Sequence, residues 1–482
     1  MAGRVRPVQG GGRGVMFRRL QTLAGVCFMY RPEPLRGSGY RTNEMNLAMA
    51  RLLILICLVV AALASGAARA QGDDRTYATR GECGGVPATA VRMAEGYCLG
   101  LVWQRSGDSQ GPRMPRTLFE LPNGDWLVAD LGSWDAGRGA IWRLSMADGT
   151  PRWTRLLAGL SMPHTIARGP DGRIYVAEMS RIFAFDPDQP EEGATVIEGL
   201  PDNRLHDNRH PLSAFVFQAD GSMLVNVGAP SDRCLDSRNR GRTDGQGRCV
   251  EEAAQAMVRR YAYLGPDAQG RGRWSTQWTA FATGLRNSVA MTAHPSGSVY
   301  QAENSIDLDD PLRPYDEVNR LEAGHHYGWP YCIDMDTVLP GWTARQARCG
   351  ERTAPVSLLP PHAAPLAMLY YDGAMFPELQ GRLLISWHGY RRAGGRIMAV
   401  EVDATGAPLT DRGARYAIYP RGSMPYPPTA PAPRGRILTP GWNAIASQHP
   451  MGAPVGMAVA RDGSIWVADD RNAAVLRVGR AL

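Results

Sequence analysis

A short repeated motif constrains the fold of this chain more than any other feature of its sequence. Each copy has a polar turn built on glycine and then a run of residues that favour β-strands, as in Gly169-Pro-Asp-Gly-Arg-Ile-Tyr-Val-Ala-Glu178. This is the composition of a β-hairpin. The turn glycines of the six copies are Gly124, Gly172, Gly221, Gly297, Gly381 and Gly463.

The spacing of the copies predicts the architecture. Successive turn glycines lie 48, 49, 76, 84 and 82 residues apart. Because one four-stranded propeller blade takes about 40–50 residues, each copy predicts one blade. The three longer spacings then require insertions, and two of them contain a pair of cysteines. We therefore predict an all-β fold, a six-bladed β-propeller over residues 114–482 with loop insertions closed by disulfides.

The six cysteines after residue 70 fall into three local pairs. No Cys-x2–4-Cys cluster of a zinc site is present, and neither is the Cys-x-x-Cys-His sequence that attaches haem. Disulfides that close short loops are typical of exported proteins. We expect three disulfides, Cys83–Cys98, Cys234–Cys249 and Cys332–Cys349.

The N-terminal part of the chain has the pattern of a secretory signal. After Met45 come Arg51, the apolar run 52–64 and the small-x-small sequence Ala68-Arg69-Ala70. This order predicts a signal peptide over residues 45–70 and a periplasmic or secreted protein. The apolar run is too short to span a bilayer, so we expect no stable membrane insertion after cleavage. Residues 1–44 are expected to be a non-native extension from a start assigned too early, and residues 71–113 an N-terminal segment.

Composition and missing motifs exclude several functions. All 53 basic residues are arginine, so enzymes that form a lysine Schiff base and Walker-A nucleotide binders are excluded. Residues 71–482 hold 43 Arg against 44 Asp and Glu, which leaves no basic excess for nucleic acid. The motifs Gly-x-Ser-x-Gly, His-Glu-x-x-His and Gly-x-Gly-x-x-Gly are also absent, which argues against serine hydrolases, zincins and nicotinamide enzymes.

Candidate catalytic residues come shortly before two of the hairpins. His210 precedes the third hairpin, where a neutral imidazole can act as a general base, although a surface-loop histidine would look the same. Arg286 and Asn287 hold the corresponding place before the fourth hairpin. A guanidinium beside an amide suits an anionic, carbonyl-bearing ligand, and a structural arginine is the alternative.

Candidate ligands for a metal and a cofactor follow the later repeats. Oxygen donors that suit Ca²⁺ are dense after the fourth repeat, at Glu303, Asn304, Asp316 and Glu317, although the spacing is not that of an EF-hand. The segment Gly324-His-His-Tyr-Gly-Trp-Pro-Tyr-Cys332 is either an aromatic stacking wall or a packed corner. His388, Arg391 and Arg392 follow the fifth repeat.

Together these segments resemble the glucose/sorbosone dehydrogenase family, soluble quinoproteins that carry pyrroloquinoline quinone (PQQ) on a six-bladed propeller. The resemblance extends over roughly 114–482. The ending Pro454-Val-Gly-Met-Ala-Val459 with Asp469-Asp470 is closer to the sorbosone-type branch. The most specific matches are Gly284-Leu-Arg-Asn287, Asp316-Glu-Val-Asn319, His326-Tyr-Gly-Trp-Pro330 and Pro361-His-Ala-Ala-Pro-Leu366.

The resemblance implies oxidation of a sugar or sugar aldehyde. His210 would take the hydroxyl proton as hydride passes to the quinone, Arg286 and Asn287 would bind the quinone oxygens, and Ca²⁺ would polarise them. An external acceptor, a quinone or a cytochrome, would take the electrons, because the chain has no haem or flavin motif. The other cofactor contacts expected are Tyr327, Trp329, His388, Arg391 and Arg392.

The sequence also departs from the family pattern. Ala229 stands where the glucose-oxidising branch has an aspartate that orients the catalytic histidine, and Asp232 is the nearest substitute. No lysine is present to hold PQQ, which leaves Arg391 or Arg392, and the paired arginines expected in the last blade are replaced by Pro454-Val-Gly456. A Ca²⁺-dependent lactonase or other hydrolase and a non-catalytic binding propeller are therefore alternatives. Should His210 not be the base, His206 or His164 is the next candidate.

Overall fold

The computed structural model describes residues 75–146, 148–202, 208–412, 431–442 and 450–481. The expected extension 1–44, the expected signal peptide 45–70 and His206 lie outside these residues. Among the described residues, no helix has both the length and the apolar character needed to cross a bilayer.

The chain begins with three strands of the N-terminal segment. They are β1 (Thr79–Cys83), β2 (Val86–Thr89) and β3 (Tyr97–Gln104). β1 and β2 form an antiparallel pair, and β2 pairs in turn with β3.

The first two blades are four-stranded antiparallel sheets with their strands in chain order. Burial falls along each sheet, from second strands that are buried throughout to fourth strands that are largely exposed, which places the fourth strands at the rim. The strands are β4 (Pro115–Glu120), β5 (Trp126–Asp130), β6 (Gly139–Ser145), β7 (Arg152–Leu160), β8 (Ile166–Arg168), β9 (Ile174–Ala177), β10 (Ile182–Asp186) and β11 (Gln189–Ile197).

The third and fourth blades carry insertions. Their elements are β12 (Phe215–Phe217), β13 (Met223–Val227), β14 (Met257–Pro266), β15 (Gly272–Thr283), β16 (Ala290–Ala293), β17 (Val299–Glu303), β18 (Tyr315–Leu321), β19 (His325–His326), β20 (Cys332–Ile333), β21 (Thr337–Val338), α1 (Ala344–Ala347) and β22 (Ser357–Pro361). Blade three is β12–β15 with β19 added in parallel, and blade four is β16, β17, β18 and β22. Short 3₁₀ helices occupy Val250–Ala253 and Cys349–Glu351.

The last two blades complete the sequence of strands. They contain β23 (Pro365–Tyr370), β24 (Leu383–Trp387), β25 (Arg396–Val400), β26 (Thr410–Arg412), β27 (Pro431–Pro433), β28 (Gly435–Ile437), β29 (Pro454–Val459), β30 (Ile465–Asp469) and β31 (Ala474–Arg480). Blade five is β23, β24, β25 and β28, while β26 and β27 form a separate pair. A 3₁₀ helix occupies Pro377–Leu379.

The N-terminal segment closes the ring. β3 pairs antiparallel with β31, with Tyr97 opposite Arg480 and Gln104 opposite Ala474, and so becomes the fourth strand of blade six. The propeller therefore includes residues 97–104, earlier than the predicted boundary at 114. Closing a ring with strands from both chain ends leaves fewer unpaired edges.

The structure confirms the predicted six-bladed all-β propeller. Each of the six turn glycines lies between the first and second strands of a blade, with φ between 73° and 88°. Glycine adopts this left-handed conformation without the strain that a side chain would add. The three predicted disulfides are also present.

Antiparallel pairing brings particular loops together at one end of the propeller. Pro115 lies opposite Asp130 in blade one, and Ala290 lies opposite Ala302 in blade four. The segment before each first strand therefore meets the segment after each second strand. We call this end the loop end. His210 and Arg286 precede first strands, and His388 follows a second strand, so all three lie there.

Candidate active site

His210 lies ahead of β12 with its ring nearly buried, at 8% exposure. Ring Nδ1 is 2.6 Å from the carbonyl oxygen of Ala229. Since a carbonyl only accepts hydrogen bonds, Nδ1 carries the proton and Nε2 keeps its lone pair. A Cβ on Gly228 would lie 2.7 Å from Cβ of His210, so glycine permits this close approach. The histidine is held as a hydrogen-bond acceptor.

The environment of His210 keeps its imidazole neutral. Burial lowers its pKa well below 6.5, and the positive charge of Arg286 lowers it further. The hydrogen bond to Ala229 acts in the opposite direction but is the weaker influence. A neutral imidazole with a free Nε2 is the form that can remove a proton.

Ala229 has no carboxylate to orient His210, and its backbone carbonyl takes over that role. Asp232, which the sequence offers as a substitute for that carboxylate, does not orient His210. Arg286 instead donates to Oδ1 of Asp232 from Nε at 2.9 Å and from Nη2 at 2.7 Å. The orienting group of the histidine is the Ala229 carbonyl, and Asp232 positions the arginine.

Arg286 is fixed on two sides. Besides the pair with Asp232, its Nη1 donates to the carbonyl oxygen of Asn304 at 2.9 Å. The side chain is about 5% exposed. A guanidinium held in this way loses little further conformational freedom when it binds a ligand. Its neighbour Asn287 has a buried side-chain Oδ1 for which no hydrogen-bond partner exists among the described residues.

Glu303 holds the segment that carries Arg286 and Asn287. Its Oε1 accepts from both backbone N–H groups, and its Oε2 accepts from the Ser288 hydroxyl at 2.7 Å. The acids that end two other repeats act alike. Asp130 accepts from the N–H of Met114 at 2.8 Å, and Glu178 from that of Ser161 at 2.6 Å. In each case the carboxylate ties the segment before a first strand to the end of a second strand.

The other predicted metal ligands also have protein partners. Asp316 accepts from the N–H groups of Ser305 and Ala364, at 2.8 and 2.6 Å, and burial raises its pKa to about 6. The Asn304 amide donates to the carbonyls of Asn287 and Pro365. Glu317 lies opposite Glu303 in the strand pairing. Burial, and then the charge of Glu303, raise the pKa of Glu317 well above its usual value.

These four residues do not form a compact carboxylate cluster. Within the described ranges, the one group of three acidic, histidine or cysteine side chains with ligand atoms inside 4.8 Å is Cys234, Cys249 and Glu251. The two sulfurs of that group form a disulfide. Glu317 differs from Glu303 and Asp316 because its one hydrogen bond, from Asn319 at 3.5 Å, leaves its carboxylate largely unsatisfied within the described residues. Calcium binding by the predicted set stays a prediction.

The two arginines expected to replace the family lysine are used differently. Arg391 donates to the backbone carbonyls of Leu308 and Asp310, at 2.9 and 3.2 Å. It thereby orders the loop between β17 and β18, which we call the acidic loop because it holds Asp307, Asp309 and Asp310. Arg392 is exposed, and its carbonyl accepts from Arg396. Their contact with a cofactor stays a prediction, since the guanidinium of Arg391 already serves the loop.

The two predicted aromatic contacts lie in packed regions. Tyr327 is 5% exposed, and its hydroxyl accepts from the N–H of Glu322 and donates to the carbonyl of Arg320. Trp329 is equally buried, and its Nε1 donates to the carbonyl of Asp232 at 2.9 Å. The alternative interpretation, a packed corner, describes these contacts. Trp329 supports the segment that positions Arg286.

A second histidine site at the loop end joins blades five, six and one. His388 Nε2 lies 2.8 Å from Oδ1 of Asp470, and each residue directly follows the second strand of its blade. Arg116, 1% exposed, donates to the other carboxylate oxygen of Asp470. Its Nε donates to Nδ1 of His164 at 3.3 Å.

The carboxylate of Asp470 lies at the centre of this second site. Burial alone would raise the pKa of Asp470, but the charges of His388 and Arg116 lower it to about 2. Sequence reasoning missed Arg116 and gave Asp470 no role. One available signal was register, because Asp470 and His388 hold the same place relative to their repeats.

Comparison with known proteins supports the predicted family. The family model described as Glucose / Sorbosone dehydrogenase matches residues 186–407, a range that includes His210, Arg286 and Glu303. An uncharacterized protein of Borreliella burgdorferi is 28% identical over 205 residues, 41% of this chain and 48% of that protein. The chain thus spans about half the length of the curated relative it matches.

Solved structures show the same fold. An iodide structure of a Trichoderma reesei carbohydrate-active enzyme of family AA12 has a TM-score of 0.58 and 18% identity, covering 84% of this chain and 100% of that one. The holo PQQ domain of pyranose dehydrogenase from Coprinopsis cinerea has a TM-score of 0.57 and 20% identity, covering 83% and 99%.

Proposed function

We propose, since the family model described as Glucose / Sorbosone dehydrogenase matches residues 186–407, that this chain is a PQQ- and Ca²⁺-dependent dehydrogenase that oxidises a sugar or a sugar aldehyde. The observation that carries the proposal is the pairing of a neutral, oriented His210 with a fixed Arg286 in adjacent blades. A proton acceptor beside a preorganised cation suits this oxidation, in which a hydroxyl group loses its proton while the carbon that bears it loses a hydride.

The residues present fit a quinone cofactor. Arg286 and Asn287 offer guanidinium and amide N–H donors at the loop end, and such donors suit quinone oxygens. The buried Oδ1 of Asn287, which has no partner among the described residues, can only accept, so it suits an N–H donor or a cation. Bound PQQ would supply the electrophilic carbon that accepts a hydride. We assign its oxygens to Arg286 and Asn287. For Ca²⁺ we assign Glu317, whose carboxylate is the least satisfied of the predicted set, together with oxygens of the acidic loop.

His210 performs the proton transfer in this proposal. Its Nε2 accepts the proton of the substrate hydroxyl, or of one hydroxyl of a hydrated aldehyde, while two electrons leave with the hydride. The product is a carbonyl or carboxyl carbon, so protons and electrons balance. Arg286, held by Asp232, stays charged throughout and stabilises negative charge near the reacting carbon.

We further propose that the protein works outside the cytoplasm and passes its electrons to a separate acceptor, a quinone or a cytochrome. Three disulfides support export, because they persist in oxidising compartments.

The test is reconstitution of the mature protein with PQQ and Ca²⁺. We expect reduction of an artificial dye with aldoses or sorbosone, and PQQ absorbance retained after gel filtration. Inactivity across a broad sugar panel with no retained PQQ would refute the proposal. Hydrolysis of lactones without PQQ would favour the hydrolase alternative, and sugar binding without dye reduction would favour the binding propeller.

A further inference from the structure

A cavity of about 640 Å³ lies beside the first blade, apart from the residues proposed for catalysis. Its walls come from the connector 105–113 between β3 and β4, the loop 130–140 after β5, and strands β6 and β7. His210, Arg286, His388 and Asp470 do not line it. Its volume falls in the range of about 300–1,000 Å³ that is typical of small-molecule sites.

Four arginines line this cavity without a protein counter-ion. In the part of the chain that the structure describes, none of them forms an ion pair. Some other surface arginines are paired, as in Arg152–Asp148 and Arg271–Asp267, and some, such as Arg168 and Arg238, are not paired with any described residue. An unpaired guanidinium is free to bind a carboxylate or sulfate with two parallel hydrogen bonds. The four are Arg105, Arg113, Arg138 and Arg155.

The acids in the cavity wall do not neutralise these arginines. Asp130 is 3% exposed, and its Oδ1 accepts from the backbone N–H groups of Arg113 and Met114, at 3.0 and 2.8 Å. Its Oδ2 accepts from Nε1 of Trp142 at 3.1 Å. With Asp108 and Asp135, both exposed, the lining holds three carboxylates against four guanidinium groups, a formal net charge of +1.

The bond from Trp142 to Asp130 fixes an indole ring in the cavity wall. Trp142 is half-buried, and the guanidinium carbon of Arg155 lies 5.6 Å from its ring centroid. Because Arg155 covers one face of the ring, a sugar can stack its apolar C–H face only on the other face, while nearby hydrogen-bonding groups take its hydroxyls. The ring therefore adds selectivity for a saccharide to an otherwise polar, cationic cavity.

The walls are also held in place before any ligand binds. Arg105 donates from Nη1 to the carbonyl of Gly111 at 2.9 Å, which fixes the connector. Gly132 has φ 71°, and a Cβ there would lie 1.9 Å from the carbonyl oxygen of Arg138, so the loop is folded tightly on itself. A preorganised site loses less free energy to ordering when its ligand arrives.

We propose that this cavity is a binding site for a saccharide that carries carboxylate or sulfate groups. Arg138 and Arg155 bind the anionic group, and Trp142 stacks on the ring. The site works independently of PQQ, so the proposal stands or falls separately from the dehydrogenase function.

The test is isothermal titration of the full chain without PQQ, using digalacturonate, a sulfated disaccharide and neutral maltose. We expect one or both acidic saccharides to bind and maltose not to bind, and the stronger of the two identifies the anion. Arg138→Gln with Arg155→Gln should weaken binding at least about tenfold, since charge-assisted bonds are lost. Arg152→Gln, on the same strand but paired with Asp148, is the matched control and should leave affinity unchanged.

Raising the ionic strength to about 1 M, where the Debye length is about 3 Å, should also weaken binding. The proposal is overturned if neither acidic saccharide binds, if maltose binds as tightly, or if the double variant and the control behave alike. Competition by inorganic sulfate as strong as by the saccharides themselves would overturn the role of the sugar ring.

Discussion

His210 and His388 both lie at the loop end of this propeller, and the protein holds them by different means. His210, between blades three and four, is oriented by a backbone carbonyl and lies near the cation Arg286. His388, between blades five and six, is oriented by the carboxylate of Asp470. The neighbouring cation Arg286 favours the neutral imidazole of His210. The difference makes His210 the proton acceptor, whereas His388 is held by its hydrogen bond to Asp470.

The largest effect should come from removing the imidazole of His210. His210→Ala should lower kcat by about 10²–10⁴-fold, because a general base acts in the transition state, and should leave PQQ affinity within a few-fold. Dye reduction and cofactor titration on the same samples measure both. His294→Ala, at an exposed turn, is the control. Near-normal turnover of His210→Ala would move the base to His206 or His164.

Asp470 and Asp232, which pair with Arg116 and Arg286 at the loop end, should differ in their contribution to stability. Asp470→Asn removes the counter-charge of Arg116, which is 1% exposed and has His164 as its other hydrogen-bond partner among the described residues. Loss of one partner of a buried pair costs about 3–5 kcal/mol of unfolding free energy. Asp232→Asn should cost less, about 1–3 kcal/mol, because Arg286 keeps its bond to the Asn304 carbonyl.

Urea unfolding of both variants with the disulfides intact measures this difference. Equal losses, or a larger loss for Asp232→Asn, would contradict the prediction that the Arg116–Asp470 pair contributes more to stability than the Arg286–Asp232 pair.

The affinity for PQQ should depend on Arg286, which lies near His210, more than on Arg392. Arg286→Ala removes a charge-assisted donor and should weaken PQQ binding by about 1.5–3 kcal/mol, roughly 10- to 150-fold. Titration of PQQ in the presence of Ca²⁺ measures the change. Arg392→Ala is the comparison, at an exposed position whose side chain has no hydrogen bond or ion pair among the described residues. This variant should bind PQQ as tightly as the wild type does. The reverse order would restore the family-based role of Arg392.

Much of the fold could be predicted because its signals are local. A positive φ at a hairpin turn selects glycine, so Gly124 and its five equivalents mark the blades directly. The cysteine pairs are 15 or 17 residues apart and are likewise read from spacing. The role of Glu303 in holding the segment before β16 could also have been predicted, because an acid recurs at the same position of two other repeats, as Asp130 and Glu178.

The remaining parts of the site depend on ring closure or on backbone atoms. Arg116 and Asp470 are 354 residues apart and meet only because blade six closes against blade one. The carbonyl of Ala229 orients His210, and every residue type has such a carbonyl, so residue identity at position 229 carries no signal for it. The substitution of alanine for aspartate therefore says less about catalysis than the sequence pattern suggests.

The smallest effect, and the most direct test of the environment of His210, is in the pH profile. Because burial and Arg286 lower the pKa of His210 well below 6.5, His210 stays neutral down to acidic pH. We expect kcat/KM to hold as the pH falls through 6.5 and to decline only well below it, as Nε2 becomes protonated. Arg286→Gln removes the charge that lowers the pKa of His210 most, so the acid limb of this variant should move up toward 6.5. A wild-type acid limb at 6.5 or above, or one that does not move in Arg286→Gln, would contradict the assignment of His210 as the titrating base.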